Sequence, residues 1–168
     1  MDHKVTTPID PREGWRQALA LGPPTTGWRD RQFWIAWLAG VPVAIAVAIG
    51  LEPQSTAMSP AMGFSFVVWQ PFWEELVFRG IVQTWLLRQP WARSTSAGFS
   101  RANLLTSALF SIAHLWHQPL AWAVAVTLPS LIFGHLRERS HSVWPAVVIH
   151  ASYNAMFLLA VYGASRLA

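Results

Sequence analysis

Apolar residues run through this chain in long blocks separated by short polar stretches, the pattern of successive bilayer-crossing helices. The first block, 33–51, has about 19 residues, close to the ~20 a helix needs to cross hydrocarbon. Pro42 lies inside it and can kink it. Glu52, Pro53, Gln54 and Ser55 then form a polar turn. The second block, 60–87, is interrupted by Pro71, Glu74, Glu75 and Arg79, and is expected as one long helix kinked at Pro71 or as two pieces. The third covers 102–116, the fourth 120–136 and the last 143–162, with a short turn at His117, Gln118 and Pro119. At about 15 residues the third is shorter than the ~17 of a minimal crossing, so its ends are open. Residues 1–32 carry several prolines and no sustained apolar period, and are expected as a mobile cytoplasmic arm. The apolar stretch begins too far along the chain for a cleavable signal peptide.

Basic residues alternate with these blocks. Lys4, Arg12, Arg16, Arg29 and Arg31 precede the first, Arg88, Arg93 and Arg101 follow the second, and Arg137 and Arg139 follow the fourth. None lies after the first or third, and Arg166 alone follows the last. That is the positive-inside pattern for five crossings with a cytoplasmic N-terminus. The expected fold is therefore all-α: a polytopic transmembrane helical bundle of about five spans with a kinked or split second segment. It forms a single transmembrane domain over 33–168.

Composition agrees. The 168 residues leave room for one domain. Charged residues are 12% and hydrophobic residues 53%, against roughly 25% charged in soluble domains. Of the eleven Trp, Trp34, Trp37, Trp116, Trp122 and Trp144 fall near block ends, where indoles sit at headgroup level. The formal charge of +4 is spread over the short connections, so topology explains it and no nucleic-acid partner is expected. With no cysteine the chain has no disulfide, no thiolate nucleophile and no Cys-based zinc site.

Ionisable groups inside a span need a reason, because each costs about 2.5 to 3.5 kcal/mol at the helix centre. Glu75 and Arg79 stand at i and i+4 on one helix face and can form an ion pair. Glu74 points about 100° away without that partner, the setting of a carboxylate that works as a general base. Two further i, i+4 pairs follow: Phe110 with His114 in the third block, and His150 with Asn154 in the last. At ~1.5 Å per residue His150, His114 and Glu74 lie roughly 10, 18 and 20 Å from the cytoplasmic side, levels compatible with one buried site. A carboxylate that activates water, with His and Asn donating to an oxyanion, suffices for peptide hydrolysis. Glu74, His114 and His150 could instead hold zinc. No HExxH helix is present, and the metal-free reading is favoured.

At these residues the chain resembles the CAAX protease and bacteriocin-processing family of glutamic intramembrane proteases, which includes the Ras-converting enzymes. The family pattern of Glu-Glu-x-x-x-Arg, Phe-x-x-x-His and His-x-x-x-Asn reads here as Glu74-Glu75 to Arg79, Phe110 to His114 and His150 to Asn154. The resemblance covers about 64–157. It implies Glu74 as the water-activating base, His114 as its partner, His150 and Asn154 as the oxyanion pair, and Glu75, Arg79 and Phe110 in support. The implied activity is endoproteolysis near the C-terminal tail of a membrane-associated protein substrate, without a cofactor. The short chain fits a myxosortase-like member, and the implied location is the bacterial inner (plasma) membrane. Two other classes compete: a non-catalytic immunity or scaffold protein of the same fold, and a small proton-coupled transporter built on Glu74 and His114. His135, just inside the fourth block, is a further candidate to face the cleft.

Overall fold

The computed structural model describes residues 11–50 and 58–165. The polar turn expected at Glu52 to Ser55 lies outside them, as do the first ten residues of the N-terminal arm. The helices are α1 (Pro11–Ala18), α2 (Arg31–Gly50), a long rod α3 over 60–88, α4 (Arg101–His114), α5 (Leu120–Ala125), α6 (Thr127–Ser140) and α7 (Trp144–Ser165). A small hairpin, Thr95–Ser96 with Phe99–Ser100, joins α3 to α4 through Ala97 and Gly98, both at positive φ as a tight two-residue turn requires. The expected all-α class holds. Among the described residues three runs, Arg31–Ile49, Leu120–Ser140 and Trp144–Gly163, are long and apolar enough to cross a bilayer.

The N-terminal arm is docked over its later part. The Val143 amide donates to the Ala20 carbonyl (2.9 Å), Thr25 N–H to Ser140 O (2.9 Å), Ser142 Oγ to Gly22 O (2.7 Å) and the Trp144 indole to Leu21 O (3.1 Å). Residues 20–25 thus form a strap across the turn between α6 and α7. Asp30 closes it, accepting the Gln32 amide at the start of α2 and pairing with Arg139.

The rod α3 resolves the second block as one helix. Its α-helical pieces Pro60–Phe64, Gln70–Glu75 and Thr84–Arg88 alternate with π-helical stretches Ser65–Trp69 and Leu76–Gln83. Ser59 caps its start, and Pro60 at the first position loses nothing by lacking an N–H. Pro71 does not break it, because the wide turn just before it makes room for the ring: the Gln70 amide reaches back to Ser65 O. The fourth block falls in one candidate span, Leu120–Ser140, whose helix has a local interruption at Val126. Pro129 explains the interruption, since it removes the donor that would bond Ala125 O and suits the first turn of a new helix.

One end of the bundle is tightly packed. Phe33, Phe133, Leu136, Ala146 and Ile149 form an apolar core beside a smaller cluster of Leu86, Ala92 and Ala102. Between α4 and α6, Asn103 donates to Leu131 O and accepts from Ser107. A Cβ on Gly134 would fall 2.0 Å from Asn103 Oδ1, so glycine sets how closely these helices approach. Ala36 and Gly40 of α2 meet Tyr153 and Met156 of α7 in ascending order, so those two helices run parallel.

Candidate active site

Arg79 is the hub. It is fully buried, with Nε 3.1 Å from Glu75 Oε2 and Nη1 3.2 Å from Glu75 Oε1. Its Nη2 donates to the carbonyl (2.9 Å) and hydroxyl (2.7 Å) of Ser130 on α6. The guanidinium also lies over Phe110 (4.7 Å) and Phe133 (5.5 Å). The expected i, i+4 ion pair is present, and it holds three helices together.

Glu75 has a second partner that helix spacing on α3 could not reveal. Its Oε1 lies 2.8 Å from Nδ1 of His150 on α7. A carboxylate bound to Arg79 only accepts, so Nδ1 carries the proton and Nε2 is left toward the site. Phe133 stacks on that imidazole at 4.8 Å and 19°. Glu74 Oε2 then lies 3.8 Å from His150 Nε2, beyond direct hydrogen-bond range. His114 is fixed the same way: its Nδ1 is 2.8 Å from Phe110 O, which can only accept, so its Nε2 is the free nitrogen.

Asn154 bonds across to α3, its Nδ2 donating to Phe66 O at 2.8 Å. The π-helical turn accounts for that acceptor. Gln70 N–H is taken by Ser65 O, and the next residue, Pro71, has no N–H to give Phe66. The carbonyl would be orphaned without Asn154.

Glu74, Phe110, His114, His150 and Asn154 line one cavity of about 570 Å³. Glu75 and Arg79 are buried behind it. Gly40, Val43, Ala44 and Val47 of α2 supply an apolar wall, and Gln70, His117 and Gln118 add polar groups. His117, from the short turn after the third block, thus reaches the site. His135 does not line it and bonds Gln32 instead, at 2.8 Å. Among the described residues no three His, Asp or Glu side chains form a group that could hold a metal. Sequence reasoning passed over Ser130 and Phe133, although an isolated polar residue in the apolar fourth block marked the first.

Residues 56–156 match the family described as type II CAAX prenyl endopeptidase, Rce1-like. The chain belongs to that family. No curated protein and no solved structure matches it. Membership in the Rce1-like endopeptidases, with three helical runs able to span a bilayer, makes the chain an integral membrane protein of the CAAX protease class. The matched residues include Glu74, Glu75, Arg79, Phe110, His114, His150 and Asn154, but not α2.

Proposed function

We propose that this Rce1-like protein is an intramembrane endopeptidase that cleaves near the C-terminus of a membrane-associated protein or peptide, using a water activated by Glu74. The observation that carries the reading is the single cavity lined by Glu74, His114, His150 and Asn154, with the Glu75–Arg79 pair sealed behind it. Glu74 takes a proton from the water as its oxygen attacks the scissile carbonyl. His114 Nε2 orients that water. The second Asn154 N–H, together with His150 Nε2 when it carries a proton, donates to the developing oxyanion. Collapse of the tetrahedral intermediate expels the amine, which takes the proton back from Glu74. Glu75 and Arg79 fix the His150 ring, and Phe110 holds His114. The chain resides in a bacterial inner (plasma) membrane with its N-terminus in the cytoplasm.

The test is cleavage of C-terminal tail peptides by the purified full chain, with and without a chelator. Glu74→Gln and His114→Ala are expected to lose about 10²-fold or more of the rate. Cleavage that survives Glu74→Gln would remove Glu74 as the base. Activity abolished by chelator and restored by zinc would move the mechanism to a metal held by Glu74, His114 and His150.

A further inference from the structure

The two ends of the cavity differ, and the difference assigns a membrane face. Toward the arginine-bearing end it is floored by Glu75, Arg79, Phe110 and Phe133, all buried, with Gln83 and Ile149 buried beyond them. Toward the other end its lining reaches exposed His117 and Gln118, together with Phe66 and Trp122. Three cross-links mark the level of the closed end: Gln32 with His135, Gln83 with Glu138, and Ser100 with Glu138. From that level to Val47, Phe66 and Trp122 the helices climb roughly 22 to 25 Å at ~1.5 Å per residue, most of a ~30 Å hydrocarbon layer. Arg29, Arg31, Arg88, Arg93, Arg101, Arg137 and Arg139 all belong to the closed end. The turn at 115–119 at the open end contains no Lys or Arg, and neither does the sequence 51–59 between α2 and α3.

We propose that the catalytic cavity opens on the non-cytoplasmic face, so that its substrates are peptide segments presented from outside the cytoplasm. Cytoplasmic segments of a membrane protein carry an excess of basic residues, and here the seven arginines named above lie with the sealed floor, against Arg166 alone in the sequence after α7. The apolar wall Gly40-Val43-Ala44-Val47 extends from mid-helix toward the open end. An incoming segment thus meets an apolar surface at outer-leaflet depth before it reaches Glu74. The substrate half of this inference rests on the protease reading above. The orientation half does not.

The chain contains no cysteine, so an introduced one reports alone. Gln118→Cys and Trp116→Cys probe the open end, and Ser96→Cys in the exposed hairpin probes the other. Sealed right-side-out and inverted membrane vesicles are treated with a membrane-impermeant maleimide. Positions 118 and 116 are expected to label in right-side-out vesicles and position 96 in inverted ones. The reverse pattern overturns the proposal. In a second arm, an impermeant fluorogenic tail peptide is expected to be cleaved at least tenfold faster by right-side-out vesicles until detergent opens both. Cleavage confined to inverted vesicles overturns the proposal and leaves the protease reading intact. Expected labelling without cleavage, even in detergent, removes the protease reading and the substrate half, and supports the orientation.

Discussion

Arg79 carries one charge and answers to Glu75, Ser130, Phe110 and Phe133 at once. A lone interhelical hydrogen bond within a membrane averages only ~0.6 kcal/mol, so the buried charge sets the energy scale. Removing one partner of a buried ion pair costs about 3 to 5 kcal/mol, because the other charge is left uncompensated. Arg79→Met should therefore lower the thermal midpoint of the detergent-solubilised protein sharply. Arg79→Met combined with Glu75→Leu should lower it less, and equal losses would mean that Glu75 is not held by this charge. Glu74, half-buried on the cavity wall, carries no such duty. Glu74→Gln should unfold at the wild-type temperature while hydrolysis is lost, a contrast between adjacent glutamates that separates chemistry from support. The i, i+4 geometry of Glu75 and Arg79 was legible from spacing alone. Ser130 and His150 as their partners were not, since contacts 51 and 75 residues apart depend on how α6 and α7 pack against α3.

The rod α3 and the pairing of α2 with α7 show which parts of an element sequence can predict. Apolar blocks gave helix positions within a few residues: 33–51 against Arg31–Gly50, and 143–162 against Trp144–Ser165. They did not give the π-helical turns, which leave no hydrophobic pattern, nor the break at Val126, although Pro129 stood in the sequence. Helix pairing was equally silent. Gly40 lets α2 and α7 approach so closely that a Cβ there would lie 2.4 Å from Tyr153 Cε1 and 2.6 Å from Cδ1. The Tyr153 ring is not free to retreat, because its hydroxyl donates to Ala36 O at 2.6 Å. Gly40→Ala should thus cost about 1 to 3 kcal/mol by overpacking and push the ring toward the cavity. In a Tyr153→Ala background most of that cost should vanish, a coupling that a double-mutant cycle of unfolding midpoints would read. Additive effects would mean that some other contact limits the approach.

At the scale of the whole molecule, the strap and the cavity occupy opposite ends of the bundle, and acid distinguishes them. Asp30 ties the strap to α6 through Arg139 at 2.5 Å and caps α2 through the Gln32 amide at 3.0 Å. Burial alone would raise its pKa, but the Arg139 hydrogen bond, the Gln32 amide and the charges of Arg139 and His135 together hold it below the ordinary value. A carboxyl lowered in the folded state adds stability that is complete above its unfolded pKa of ~3.9 and is lost as pH falls through the folded value. Arg139 is partly exposed, so salt should weaken the pair as well. Amide protection factors over 20–30, taken against the intrinsic rate at each pH, should accordingly fall below about pH 4, and Asp30→Asn should be less protected at neutral pH and lose that dependence. In the orientation proposed above, this strap lies on the cytoplasmic side and the cavity mouth on the other. Acidifying only the outside of right-side-out vesicles should then leave the strap protected, and acidifying the outside of inverted vesicles should release it. Release in the right-side-out preparation would put the strap on the outer face and reverse the orientation of the bundle.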